Sequence, residues 1–225
     1  MAKIDVQKLI GQHARDLKEL MKDNLADVVG SVIDNVMHKK TKEPSGLDHY
    51  KDILLDAQAV IAIDGINSAR KQVPKAAKVK LSTAFSSLPK DLQKKITKRN
   101  ELLIGKQIKD LQKTMELAYK EALDMGLSGG EVETFLENEG LSWLDGTAVE
   151  LGSSLTAASV INDARNAFFI DDDTLEQVDA FEFVNPDPKS EICISLTGTI
   201  FAKDDPDMFK YTPPLHWNAV LSEAL

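Results

Sequence analysis

The chain has one cysteine, two tryptophans and three tyrosines among 225 residues, and aromatic side chains make up only 6 % of it. A single cysteine excludes an intrachain disulfide, so stability has to come from an apolar core, which a chain of this length is long enough to build. No stretch of 18 apolar residues occurs, and no charged segment leads into an apolar one at the start. Neither a membrane span nor a secretory leader is therefore expected, and the expected compartment is a reducing cytosol. Proline is sparse before residue 186. Pro44, Pro74 and Pro89 fall between the apolar-periodic stretches, where a residue without an amide proton ends or starts helices rather than breaking them.

Basic residues are scarce in the second half. Residues 1–113 carry 22 Lys/Arg against 14 Asp/Glu, a balance of +8, whereas residues 114–225 carry 5 against 22, a balance of −17. The two halves thus face different partners or each other. The excess of positive charge is concentrated from Arg70 to Lys113, where 13 basic residues meet only Asp91, Glu101 and Asp110.

What is abundant is apolar periodicity at three- and four-residue steps. Leu17, Leu20, Met21, Leu25, Val28, Val29, Val32, Ile33, Val36 and Met37 share one helical face. Gly30 weakens the middle of this helix, and Pro44-Ser-Gly ends it. Such a stripe packs in a bundle or forms an arm that docks on another subunit. A second helix is predicted from Leu47 or Asp48 to about Lys71, a short basic helix or linker from Lys75 to Ser87, and a long helix from Pro89 to Met125 with Gly126 just past its end. Ser128 and Glu131 have capping-box spacing and open a short helix that Gly140 should stop, leaving Trp143 and Leu144 in a turn. A last long helix runs from Ala148 to Phe169 and carries Arg165 on an apolar face, where pairing with a carboxylate is expected. Asp171-Asp172-Asp173 lacks the glycine and distal glutamate of a calcium loop and reads as a solvated turn. Alternation from Val178 to Val184 predicts a strand, and Ile192 to Phe201 a second one, the two forming an antiparallel hairpin packed on the helix that carries Arg165. The fold class that results is mainly α with a small C-terminal α+β module. The division falls into a helical, basic-rich region over 1–126 and an acidic α+β module over 127–225.

One constellation stands out. Asp187 and Lys189 precede Cys193, Leu196, Gly198 and Phe201 in the spacing Asp-x-Lys-x-x-x-Cys-x-x-Leu-x-Gly-x-x-Phe, and Pro213-Pro214-Leu215-His216-x-Asn218 follows after a polar loop. This spacing resembles the C-terminal signature of the Mu F-like phage head morphogenesis (minor capsid) family. The likeness runs from Asn185 onward and extends by pattern to the helix Leu155–Phe169, where Ala164-Arg165-Asn166-Ala167 stands in the place of that family's Ala-Arg-x-Ala segment. Ala219 occupies the position at which the family usually has a cysteine. The resemblance implies a non-catalytic virion component that associates with portal or inner capsid proteins during head assembly in the host cytoplasm and accompanies packaged double-stranded DNA.

The residues themselves leave a second class open. Cys193 and His216 are metal ligands by type, and with Asp187 or Asp204-Asp205 they would number three, yet no spacing here matches a closed zinc site. The acidic surroundings raise rather than lower a thiol pKa, which disfavours a Cys/His nucleophile. The alternative to the assembly protein is therefore a small metal- or His-dependent hydrolase or nuclease-like enzyme, with convergence of Asp187, Asp204, Asp205 and His216 as its test. The reading adopted assigns no catalytic residue, metal or cofactor. Within the basic stretch, Lys94, Lys95, Lys98 and Arg99 are the candidate contacts to double-stranded DNA; no aromatic residues interleave with them to stack bases.

Overall fold

A computed structural model describes residues 6–73, 84–169, 171, 178–184 and 190–207, together with the backbone of 220–224. Five helices come first: α1 (Val6–Met37), α2 (Leu47–Arg70), α3 (Lys90–Asp124), α4 (Gly130–Asp145) and α5 (Thr147–Phe169), with a 3-10 turn at Phe85–Ser87. A small module follows, made of β1 (Ala180–Val184), a short helix α6 (Glu191–Leu196), β2 (Ile200–Ala202) and β3 (Val220–Ala224). The sheet is antiparallel in the order β2-β1-β3. The chain is thus mainly helical with a small C-terminal α+β module.

The contacts group into two compact units. One comprises Met1–Ala14, Asp56–Ile96 and Leu155–Leu225, and the other Arg15–Leu55 and Thr97–Ser154. Both draw residues from either side of residue 126, and α1, α2, α3 and α5 each contribute to both.

The second unit is built on the predicted stripe of α1. Leu17, Met21, Leu25, Val28, Val29, Val32 and Ile33 are all buried, and α3 buries Ile104, Leu111, Met115, Ala118 and Ala122 on one edge. One polar pair sits within this apolar setting, where Tyr50 Oη donates to Gln107 Oε1 at 3.0 Å, and another at its edge, where Trp143 Nε1 donates to Oδ2 of the exposed Asp110 at 2.8 Å. Burial raises the Tyr50 hydroxyl's pKa well above its ordinary value, so it remains a donor.

Helix ends follow local chemistry. After α3, Gly126 takes φ +79°, its amide donates to Leu123 O, and the Leu127 amide donates to Ala122 O, the two bonds of a Schellman cap. The end of α1 closes in the same way through Lys39 N to Val36 O and Lys40 N to Asn35 O, but there the left-handed residue is Lys39, at φ +50°. The half of the capping box in which the Ser128 amide donates to the Glu131 carboxylate is present at 3.2 Å. Two expectations in this region are corrected. α4 does not stop at Gly140 but continues to Asp145, so Trp143 and Leu144 are helical and buried. Gly140 is an approach point instead: a Cβ there would lie 2.6 Å from Val29 Cγ1, and the close packing that its small size permits outweighs its low helix propensity.

In the first unit the corresponding approach is Gly65 on α2. A Cβ at this position would meet Ile161 O of α5 at 2.9 Å, Ala164 Cβ at 3.1 Å and Ile161 Cα at 3.2 Å. The expected second strand, Ile192 to Phe201, is also corrected: residues 191–196 form α6, and only Ile200–Ala202 is extended. Ser190 explains the difference, because its Oγ accepts from the Cys193 amide as an N-cap, and Gly198 at φ +81° ends the turn eight residues after Ser190. β1 and β2 do pair antiparallel, but through this helical connection rather than as a simple hairpin.

These glycines behave oppositely on substitution. Gly65→Ala should lose about 1–3 kcal/mol through overpacking against a backbone that cannot yield, and lower the melting temperature by several degrees. Gly30→Ala, in a helix interior with nothing within 4 Å of the new methyl, should instead gain about 0.5–1 kcal/mol. Lys39→Gly should likewise stabilise by about 1 kcal/mol, because it removes the left-handed strain of a side-chain-bearing residue. Thermal melts of the three variants check the signs.

Candidate functional site

The part of the signature that the structure describes is a packing device. Cys193 lies on α6 with 1 % of its surface exposed, in a cluster with Ala69, Val73, Phe169, Val178, Phe181, Phe183 and Phe201; Leu196 packs against that cluster. Thr197 reinforces the helix end, donating from both its amide (3.0 Å) and its hydroxyl (2.6 Å) to Cys193 O. Beyond it, the Gly198 amide donates to Phe183 O at 2.9 Å and the Phe183 amide donates to Thr199 O at 2.9 Å, which locks the α6–β2 turn onto β1. The register then sets Phe181 opposite Phe201. Each of Cys193, Leu196, Gly198 and Phe201 thus has a distinct mechanical part: core filler, flank, turn and cross-strand partner. Cys193 is buried on a helix rather than on the expected second strand. Asp187, Lys189, Pro213, Pro214, His216 and Asn218 lie outside the described residues.

Arg165 anchors this module. It is 1 % exposed; Nη1 donates to Ser68 Oγ at 2.6 Å, and Nη2 donates to Gln72 Oε1 at 2.9 Å. Ser68 Oγ in turn donates to Gly65 O at 2.7 Å, so the guanidinium is tied to the close approach of α2 and α5. Its Cζ lies 5.5 Å from the centre of the Phe169 ring, and Phe169 meets Phe181 edge-on at 5.2 Å between centroids. Burial pulls the guanidinium pKa down to about 10, so it stays charged at neutral pH. These two donors reach neutral side-chain oxygens, Ser68 on α2 and Gln72 two residues past its end. Ser68 and Gln72 were not singled out from the sequence, because they lie 97 and 93 residues before Arg165 and no short-range pattern links them.

The acidic candidates are dispersed in their roles. Asp205 Oδ1 accepts from the Asp207 amide at 2.8 Å, an Asx turn that follows β2, and Asp204 is exposed. Among the described residues no three His, Cys, Asp or Glu side chains are placed to hold a metal ion.

The basic candidates lie on α3 with unequal freedom. Lys94 is 3.4 Å from Asp91, Lys95 is 3.9 Å from the buried Asp163, and Arg99 is half-buried. Lys98 is exposed, as are Lys106, Lys109 and Lys113 farther along the helix. The second unit also holds a cleft of about 510 Å³, lined by Val32, Val36, Tyr119 and Glu116 and by the Lys39–Lys42 loop. Asn35 Nδ2 donates to Lys42 O at 2.9 Å and Lys40 Nζ reaches Asp34 at 2.7 Å, which fixes the loop.

No family model, curated protein or solved structure matches this chain.

Two measurements probe the anchor and the cluster. Arg165→Ala should cost about 2–4 kcal/mol, because it empties a core volume and strands the oxygens of Ser68 and Gln72; Arg165→Lys should recover little, since one ammonium cannot serve both acceptors in the planar geometry of a guanidinium. Because Cys193 is the only thiol, its modification by a disulfide reagent should be slow in the native protein and rapid in denaturant, and Arg165→Lys should accelerate it. Fast native labelling would show that the cluster does not exclude the reagent.

Proposed function

We propose that the chain is a structural component of a phage or prophage head, a minor capsid (head morphogenesis) protein that associates with portal or inner capsid proteins during assembly. The observation that carries this reading is the use made of the signature. Cys193, Leu196, Gly198 and Phe201 hold a helix, a turn and a strand together over Phe169 and Phe181, and none of them presents a reacting group to solvent in the manner of a catalytic motif. Arg165, in the segment that resembles the family's helix, ties the module to α2 rather than reaching into a cleft. A spacing maintained for packing suits a protein whose work is to hold a shape against neighbours.

Expression together with the portal and capsid proteins of the same phage should place the chain in sedimenting procapsids or on portal rings at a low, fixed number of copies per particle. Recovery only as free protein, with assembled heads lacking it, would remove the reading. A Gly198→Val variant should fold poorly at the α6–β2 turn and be lost from particles, since a β-branched residue resists φ +81°.

A further inference from the structure

Two exposed helix ridges in the second unit are complementary in charge and in pattern. On α3, Lys98, Leu102, Lys106, Lys109 and Lys113 recur at four-, four-, three- and four-residue steps, and all are exposed. Leu102, with 57 % of its surface open, stands between Lys98 and Lys106, one turn from each. On α4, Glu133, Glu137 and Leu141 recur at four-residue steps along an exposed ridge beside the buried Val132, Leu136 and Trp143, and Leu141 is 62 % open. Among the described residues, none of these four lysines and neither Glu133 nor Glu137 has an ion-pair partner, whereas neighbouring charges do: Lys94 faces Asp91, and Asp145 faces Lys22 at 2.6 Å.

We propose that these ridges are the two halves of one contact between copies of this chain, with the α3 ridge of one copy seated on the α4 ridge of another. Leu102 meets Leu141 at one end of the contact, and with the two helices antiparallel Lys106 and Lys109, one and two turns onward along α3, reach Glu137 and Glu133, one and two turns back along α4. Neither ridge is self-complementary, so the contact joins unlike surfaces and builds rings or open arrays unless a two-fold axis closes it. Duplex DNA fits the α3 ridge less well. A phosphate backbone gives Leu102 no apolar partner, the ridge has no arginine fork and no aromatic ring, and the matching acidic ridge with its own leucine is already present on the chain. The inference does not rest on the virion reading, since it uses only the surfaces of one unit.

The test is sedimentation velocity on the full chain at about 0.05 M and about 0.5 M salt, between which the screening length shortens severalfold. The wild type should self-associate at low salt and dissociate at high salt. Lys106→Glu/Lys109→Glu and Glu133→Lys/Glu137→Lys should each be monomeric alone, and a one-to-one mixture of the two variants should associate again, since the acidic α3 ridge of the first then faces the basic α4 ridge of the second. Circular dichroism melts identify a variant that fails to fold, and Lys106→Gln/Lys109→Gln then replaces the reversal, with weakened association expected. A wild type that is monomeric at low salt overturns the proposal, as does a mixture that stays monomeric. So does a monomeric wild type that shifts a short DNA duplex and loses the shift in Lys106→Gln/Lys109→Gln, an outcome that assigns the ridge to nucleic acid instead.

Discussion

The close approach of α2 and α5 at Gly65 is the constraint on which the first unit depends. With no side chain at that position, the backbone of Ile161 comes within a distance that a methyl group would forbid. The approach puts Ser68, one turn farther along α2, and Gln72, two residues past the end of α2, within reach of Arg165 on α5. A buried guanidinium is costly to desolvate, and the bonds from its two Nη groups to Ser68 and Gln72 offset part of that cost, so the glycine and the arginine depend on each other. Phe169, one turn beyond Arg165, is thereby held against Phe181, and the small sheet is seated through it. The same unit retains a cost: Asn162, one turn before Asn166 on α5, is buried with neither side-chain polar atom bonded to a described residue.

The signature shows how capping chemistry can outweigh propensity. Ile192-Cys193-Ile194 is rich in β-branched residues and alternates in a way that suits a strand. Ser190 offers an oxygen to the amide of Cys193, Thr197 closes on Cys193 O, and Gly198 supplies the left-handed residue that turns the chain back to Phe183. Three local bonds and one permissive φ favour a single helical turn, and that turn directs Cys193 inward while Ile192 and Ile194 remain exposed.

Charge is distributed with similar economy. The basic excess of the first half and the acidic excess of the second do not simply neutralise each other within the second unit: Lys18 and Lys22 of α1 reach Glu150 and Asp145, but the outer faces of α3 and α4 keep their separate signs.

The sequence by itself determined the long helices, because three- and four-residue apolar periodicity, prolines between segments and a glycine past Asp124 are local signals read within a few turns. It determined the first strand and its buried phenylalanines for the same reason, and it identified Arg165 and Cys193 as residues with special surroundings. Only the tertiary structure decided that Gly140 lets a helix pass close to Val29 instead of ending it, because a glycine's role depends on what approaches it. The same holds for Ser68 and Gln72, the partners of the Arg165 Nη groups, which lie nearly a hundred residues away along the chain. It also decided which lysines of the basic stretch are engaged and which stand open, since Asp163, the carboxylate beside Lys95, belongs to another helix and charge counted along the sequence carries no record of distance in space.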